Sequence, residues 1–130
     1  MEYISAEEFL KEDEKVQNVL LDWFNANITK YDLVQDENRI MLYKSFLERG
    51  YVENDSYPLF TEGQLRKFIE DKTNKRFDIE LCYQENNRQN EYAFFESGYC
   101  STKYDSLGTD LLQAYWKVAC EIASKEVNNE

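Results

Sequence analysis

Residues 77 to 83 read Phe77-Asp78-Ile79-Glu80-Leu81-Cys82-Tyr83, in which apolar and mostly polar residues alternate with a period of two. Successive side chains of a β-strand point to opposite faces of a sheet, so this alternation predicts a strand with one buried face. A polar loop, Glu85 to Asn90, leads to a second apolar run, Tyr92 to Phe95, and Gly98 then permits a turn into Tyr99 to Tyr104. These segments predict a three-stranded antiparallel meander.

A helix is predicted to follow the meander, with Ser106 or Asp105 as its N-cap. The apolar positions of this segment recur at helical spacing and form one broad side: Leu107, Leu111, Leu112, Tyr115, Trp116, Ala119, Ile122 and Ala123. So wide an apolar side predicts that the helix lies across the sheet.

Two capping boxes predict helix starts upstream of the meander. Thr61-Glu62-Gly63-Gln64 begins a helix that runs to about Thr73, and Asn74 is its predicted end because asparagine tolerates the left-handed conformation. Ser5-Ala6-Glu7-Glu8 begins another helical segment, and the charged stretch Lys11 to Lys15 divides it into a short helix and a longer one.

The segment from Ile28 to Tyr57 gives the weakest pattern in the chain. Strands are possible at Tyr31 to Val34 and Arg39 to Tyr43, but Ile40 to Leu47 fits a helix equally well. Taken together, the elements predict an α+β fold in a single domain, residues 1–130. The predicted architecture is an antiparallel sheet whose C-terminal three-stranded meander packs against about three helices, an α/β sandwich.

The composition argues against an enzyme. The chain has no histidine, and its 26 acidic residues against 15 basic ones give a net charge of -11. Histidine is the most frequent catalytic base and metal ligand, so neither a metal site nor a cofactor is predicted. The three cysteines, Cys82, Cys100 and Cys120, are widely spaced and are predicted to be free, buried thiols. Without an apolar run long enough to cross a bilayer or a secretory signal, we expect a soluble cytoplasmic protein.

Three phrases of the sequence carry a resemblance. They are ISAEEFL (4–10), LFTEGQLRKFI (59–69) and SLGTDLLQAYWKVA (106–119). They resemble small uncharacterised proteins of phages and prophages in Gram-positive bacteria, and the strand followed by the last helix is similar to phage ABA-sandwich domains. The resemblance implies a phage context and an α/β sandwich, and it carries over no functional residue.

In that context, the acidic excess suggests a protein that binds and inhibits a bacterial host protein, such as a CRISPR effector. Its carboxylates would occupy a basic groove that normally binds nucleic acid. The candidate interaction residues are Glu7, Glu14 and Asp22, flanked by Glu8 and Glu12. An acidic balance also keeps a small protein soluble, so this simpler interpretation stays open. Direct nucleic-acid binding is not expected, because the net charge has the wrong sign.

Two other functions are compatible with the sequence. Tyr99, Tyr104 and Arg88 could bind a nucleotide signal if they converge, by stacking on its base and holding its phosphate. The segment from Thr61 to Arg76 has a net charge of about +2 and could attract phosphate. The same basic residues also fit the solvent-exposed side of a helix. Alternatively, exposed aromatic residues could make the chain a small structural or assembly partner, with Trp23, Phe24 and Tyr31 as candidates.

Overall fold

The computed structural model describes residues 2–36, 39–49, 56–98 and 102–128. Within these ranges, five helices and two three-stranded antiparallel sheets confirm the predicted α+β class. In chain order the elements are α1 (Ala6–Leu10), α2 (Glu14–Asn27), β1 (Leu33–Asp36), β2 (Arg39–Leu42), α3 (Tyr43–Glu48), β3 (Tyr57–Pro58), α4 (Glu62–Thr73), β4 (Phe77–Gln84), β5 (Gln89–Glu96), β6 (Thr102–Tyr104) and α5 (Leu111–Asn128).

The C-terminal sheet is the predicted meander, in the order β4-β5-β6. Strand β4 pairs with β5 along its whole length, from Phe77 opposite Glu96 to Gln84 opposite Gln89. Phe77 and Ile79 pack against the core, whereas Leu81 and Tyr83 are 53% and 62% exposed. The predicted burial of this strand face therefore holds for Phe77 and Ile79 and not for Leu81 and Tyr83.

The second sheet, in the order β2-β1-β3, lies in the segment that the sequence left undecided. Both alternatives are partly right, because Arg39–Leu42 is a strand and Tyr43–Glu48 continues directly as a helix. Val34 of β1 and Phe46 of α3 are buried and attach this sheet to the core.

The N-terminal helical segment divides as predicted. Ser5 caps α1 by accepting a hydrogen bond from the Glu8 amide, and Asp13 caps α2 by accepting one from the Lys15 amide. A second cap shortly after α1 therefore starts a separate helix. The apolar side of α2 faces the core through Val16, Leu20, Trp23 and Phe24.

Helix α4 begins and ends where the sequence places it. The side chain of Thr61 accepts from the Gln64 amide, and the Gln64 side chain accepts from the Thr61 amide, which completes the capping box. Asn74 follows the helix at φ 55°, in the left-handed region.

Helix α5 starts later than the sequence predicts, so the prediction of Ser106 or Asp105 as its N-cap is wrong. Ser106 and Gly108 have φ values of 55° and 83°, which no helix start accepts. Asp110 instead accepts a hydrogen bond from the Gln113 amide at 2.9 Å. The broad apolar side of α5 is shared between α2, α4 and the meander, where the Tyr115 ring meets Phe94 edge to face at 5.2 Å.

The hydrophobic core joins the two ends of the chain. The Phe60 ring lies within 6.5 Å, centroid to centroid, of four other rings: Phe9, Trp23, Phe24 and Trp116. The backbone amide of Ile4 also donates to the Phe60 carbonyl at 2.8 Å. The N-terminal helices and α5 therefore pack around the segment that precedes α4.

The segment between β6 and α5 is held against β5 by a buried carboxylate. Glu91 is only 4% exposed, and its two oxygens accept from the Gly108 amide at 3.0 Å and from Asn87 Nδ2 at 2.6 Å. The Tyr92 amide donates to the Gly108 carbonyl, and the Leu107 amide donates to the Tyr92 carbonyl. These bonds fix the direction from which the chain enters α5.

Candidate functional site

Three of the five predicted interaction residues are exposed on the N-terminal helices. Glu7 lies on α1, and Glu14 and Asp22 lie on the side of α2 that faces away from the core. We call Glu7, Glu14 and Asp22 the α1-α2 acidic surface. The ion pair between Glu7 and Lys11 spans 4.0 Å between side chains that are 85% and 72% exposed, so solvent screens it and the carboxylate stays accessible.

The other two predicted residues, Glu8 and Glu12, are half-buried and turned toward α5. Glu8 Oε1 accepts from Gln113 Nε2 at 3.1 Å, and the Glu12 carboxylate lies close to the Cys120 thiol. Burial raises the pKa of Cys120, and the Glu12 and Glu8 carboxylates raise it further. A thiol that keeps its proton is a poor nucleophile, so Cys120 is not a reactive cysteine. Glu8 and Glu12 belong to the contact with α5 more than to the outer surface.

The aromatic residues proposed for assembly are mostly in the core, and this part of the assembly hypothesis is wrong. Trp23 and Phe24 are 8% and 3% exposed, and Trp23 Nε1 donates to Asp71 Oδ2 at 3.0 Å. Both residues lie at helical spacing from Val16 and Leu20, which is the pattern of the buried side of α2. Tyr31 is 72% exposed.

The nucleotide hypothesis required its three residues to converge, and Arg88 and Tyr104 do not. Arg88 lies in the β4-β5 turn, six residues along β5 from Phe94, which pairs with Tyr104. That places Arg88 about 20 Å from Tyr104 along the hairpin. Tyr99 and Cys100 lie outside the described residues.

Tyr104 instead forms part of a cavity of about 620 Å³ between the end of α4, the start of β4, strand β6 and the last turns of α5. Four lysines line it: Lys72, Lys75, Lys103 and Lys125. We call it the lysine cavity. The four lysines are dispersed over 54 positions, so no local pattern predicts this site. The positive net charge from Thr61 to Arg76 is the signal in the sequence that points toward it.

Among residues 2–36, 39–49, 56–98 and 102–128, no group of three or more cysteine, aspartate or glutamate side chains is arranged to hold a metal ion. None of the helices described above is both long and apolar enough to span a membrane.

Comparison of the chain with protein-family models, with curated proteins and with solved structures finds no match. The assignment of function therefore depends on the two surfaces themselves, the α1-α2 acidic surface and the lysine cavity.

Proposed function

We propose that this chain is a non-enzymatic phage or prophage protein that binds and inhibits a bacterial host protein in the cytoplasm. The α1-α2 acidic surface is the proposed interface, and a basic, nucleic-acid-binding groove is its proposed target. The observation that supports this is the exposure of Glu7, Glu14 and Asp22 on helices whose opposite sides are buried.

The local charge favours such a target. Residues 1 to 24 contain seven carboxylates and two lysines, a net charge of -5. A groove that binds DNA is lined by lysine and arginine, and complementary charge both accelerates encounter and excludes wrong partners. An acidic protein competes with DNA for such a groove because both neutralise the same cations.

The helices also hold the backbone that carries these carboxylates in a fixed position. Capping by Ser5 and Asp13 fixes where α1 and α2 begin, and buried Phe9 and Leu20 anchor the inner sides. Binding then requires little ordering of the backbone, which lowers the entropic cost of association.

The test compares two charge-reversed variants. The first carries Glu7→Lys, Glu14→Lys and Asp22→Lys, and the matched control carries Glu48→Lys, Glu80→Lys and Glu85→Lys, three exposed glutamates elsewhere. Both variants have the same net charge. Each is immobilised, exposed to lysate of a Gram-positive host and washed at rising salt, and retained proteins are identified by mass spectrometry. DNA binding by the purified partner is then measured with and without the chain.

We expect the natural chain and the control to retain one nucleic-acid-handling protein and to block its DNA binding, with weaker retention as salt rises. The first variant should lose both effects. If both variants lose partner binding equally, the overall net charge and not the α1-α2 acidic surface accounts for the interaction. If both retain the partner equally, the α1-α2 acidic surface is excluded as the interface.

A further inference from the structure

The lysine cavity concentrates positive charge in a chain that carries a net charge of -11. Its four lysines come from α4, from the α4-β4 connection, from β6 and from α5, so packing rather than sequence brings them together. Among the residues that the structure describes, Glu126 is the carboxylate that lines the cavity with them, and these five charged side chains sum to +3. Bringing four ammonium groups together is unfavourable unless an anion accompanies them.

The ion pairs of these lysines do not neutralise all of their positive charge, so an anion can still bind. Lys72 pairs with Glu126 at 3.0 Å, Lys75 with Glu96 at 3.2 Å and Lys125 with Glu121 at 3.5 Å. Glu96 and Glu121 lie outside the lining, and counting them still leaves a positive charge.

These pairs are weak competitors for a bound anion. The paired side chains are 28% to 59% exposed, and exposed ion pairs contribute little to stability. Lys103 forms no ion pair with another residue of the described ranges and is exposed. A phosphate group can therefore recruit these lysines at small cost.

The cavity also has an apolar side. The Phe77 ring lies 6.0 Å from the Tyr104 ring, and Ile122 lines the cavity beside them. Lys125 Nζ lies 5.6 Å from the centre of the Tyr104 ring, which places a cation directly beside the aromatic surface. A ligand with a flat ring and a charged group matches this arrangement, since aromatic side chains stack on the former and lysines attract the latter.

One polar atom at the cavity lacks a partner. Glu126 Oε1 accepts from Lys72 Nζ, whereas its buried Oε2 has no hydrogen-bond partner among the described residues. A buried acceptor without a donor is unfavourable. Because Oε2 has almost no exposed surface, a ligand hydroxyl or amino group bonds to it only when the Glu126 side chain, which is 42% exposed, rotates toward the cavity.

We propose that the lysine cavity binds a nucleotide: its phosphates contact Lys103, Lys75 and Lys125, and its ring packs on Phe77 and Ile122. A hydroxyl or amino group of the same molecule donates to Glu126. The site is independent of the α1-α2 acidic surface, and it assigns the chain a second, small-molecule partner.

The test measures binding of trinitrophenyl-ATP, whose fluorescence rises in an apolar site, to the full chain. Unlabelled ATP, adenosine and pyrophosphate are the competitors. Lys103→Glu with Lys125→Glu is the main variant, and Lys15→Glu with Lys44→Glu, two exposed lysines outside the cavity, is the control of equal charge. Lys103→Gln is a milder variant, because the exposed Lys103 side chain has no ion pair to lose. Circular dichroism verifies that each variant is folded.

We expect saturable binding that ATP reverses and that equal concentrations of adenosine or pyrophosphate do not. The main variant should weaken binding about tenfold or more, Lys103→Gln about threefold, and the control less than about twofold. Absence of binding up to about 1 mM probe, or equal weakening by the control, would overturn the proposal. Displacement by pyrophosphate as effective as that by ATP would also overturn it, because the cavity would then recognise an anion without its ring.

Discussion

Cys120 is a thiol that the fold holds in its protonated form. It is half-buried on α5, and burial, together with the carboxylates of Glu12 and Glu8, raises its pKa. An unfolded cysteine titrates at about pH 8.5. Above that pH the unfolded chain loses this proton while the folded chain keeps it, so the stability contributed by the protonated thiol is present below about pH 8.5 and is lost as the pH rises.

We therefore predict that the free energy of unfolding of the natural chain falls between pH 8.5 and 10 more steeply than that of Cys120→Ala. The difference in slope should approach about 1.4 kcal/mol per pH unit, the limit for one proton. Urea unfolding at several pH values, with reductant present, measures it. Cys82→Ala, which removes a thiol from β4, is the matched control, and parallel curves for the natural chain and Cys120→Ala would contradict the prediction.

Single residues also show where sequence reasoning stops. The free state of Cys82 and Cys120 follows from their spacing. The burial of Glu91 does not follow from the sequence, because glutamate is seldom buried. Its partners Asn87 and Gly108 are brought to it by the loop that folds over β5. The side chains of α5 that face Glu8 and Glu12 lie about a hundred positions away in sequence, so the local pattern alone predicts these two residues on the outer surface.

Among the elements, α4 depends most clearly on local sequence. Its reciprocal capping box satisfies two backbone donors at once, so we predict that Thr61→Ala lowers the free energy of unfolding by about 1 kcal/mol. Urea denaturation measures the loss, and Thr61→Ser, which keeps the hydroxyl, should retain most of the stability. A loss of equal size in both variants would mean that the methyl group, not the cap, is responsible.

The elements that could be predicted are those fixed by neighbouring residues. The start and end of α4, the break between α1 and α2, and strand β4 follow from caps and periodicity within a few positions. The start of α5 could not be predicted, since Ser106 and Gly108 have positive φ angles in a segment that the distant Glu91 holds through the Gly108 amide. The lysine cavity could not be predicted either, because tertiary packing alone brings Lys72 near Lys103 and Lys125.

At the scale of the whole molecule, the net charge of -11 opposes folding through self-repulsion. We predict that raising sodium chloride from about 20 mM to about 300 mM raises the melting temperature, because the salt screens this repulsion more than it weakens exposed ion pairs. A gain of about 1 kcal/mol corresponds to about 2 to 6 °C for a chain of this length.

The variant with Glu7→Lys, Glu14→Lys and Asp22→Lys, whose net charge is -5, is the comparison for this effect. Its melting temperature should respond less to salt than that of the natural chain, as measured by differential scanning calorimetry. A melting temperature that falls with salt in the natural chain would show that attractive pairs outweigh the repulsion.

The joining of both chain ends around Phe60 has a consequence for synthesis. Phe9, Trp23 and Phe60 emerge from the ribosome long before Trp116, the ring that packs against Phe9 and Phe60. Until α5 has been translated, these aromatic side chains lack their final cover, and the nascent chain carries an exposed apolar surface that chaperones recognise. Translation of α5 therefore sets the earliest moment at which this aromatic core can be covered.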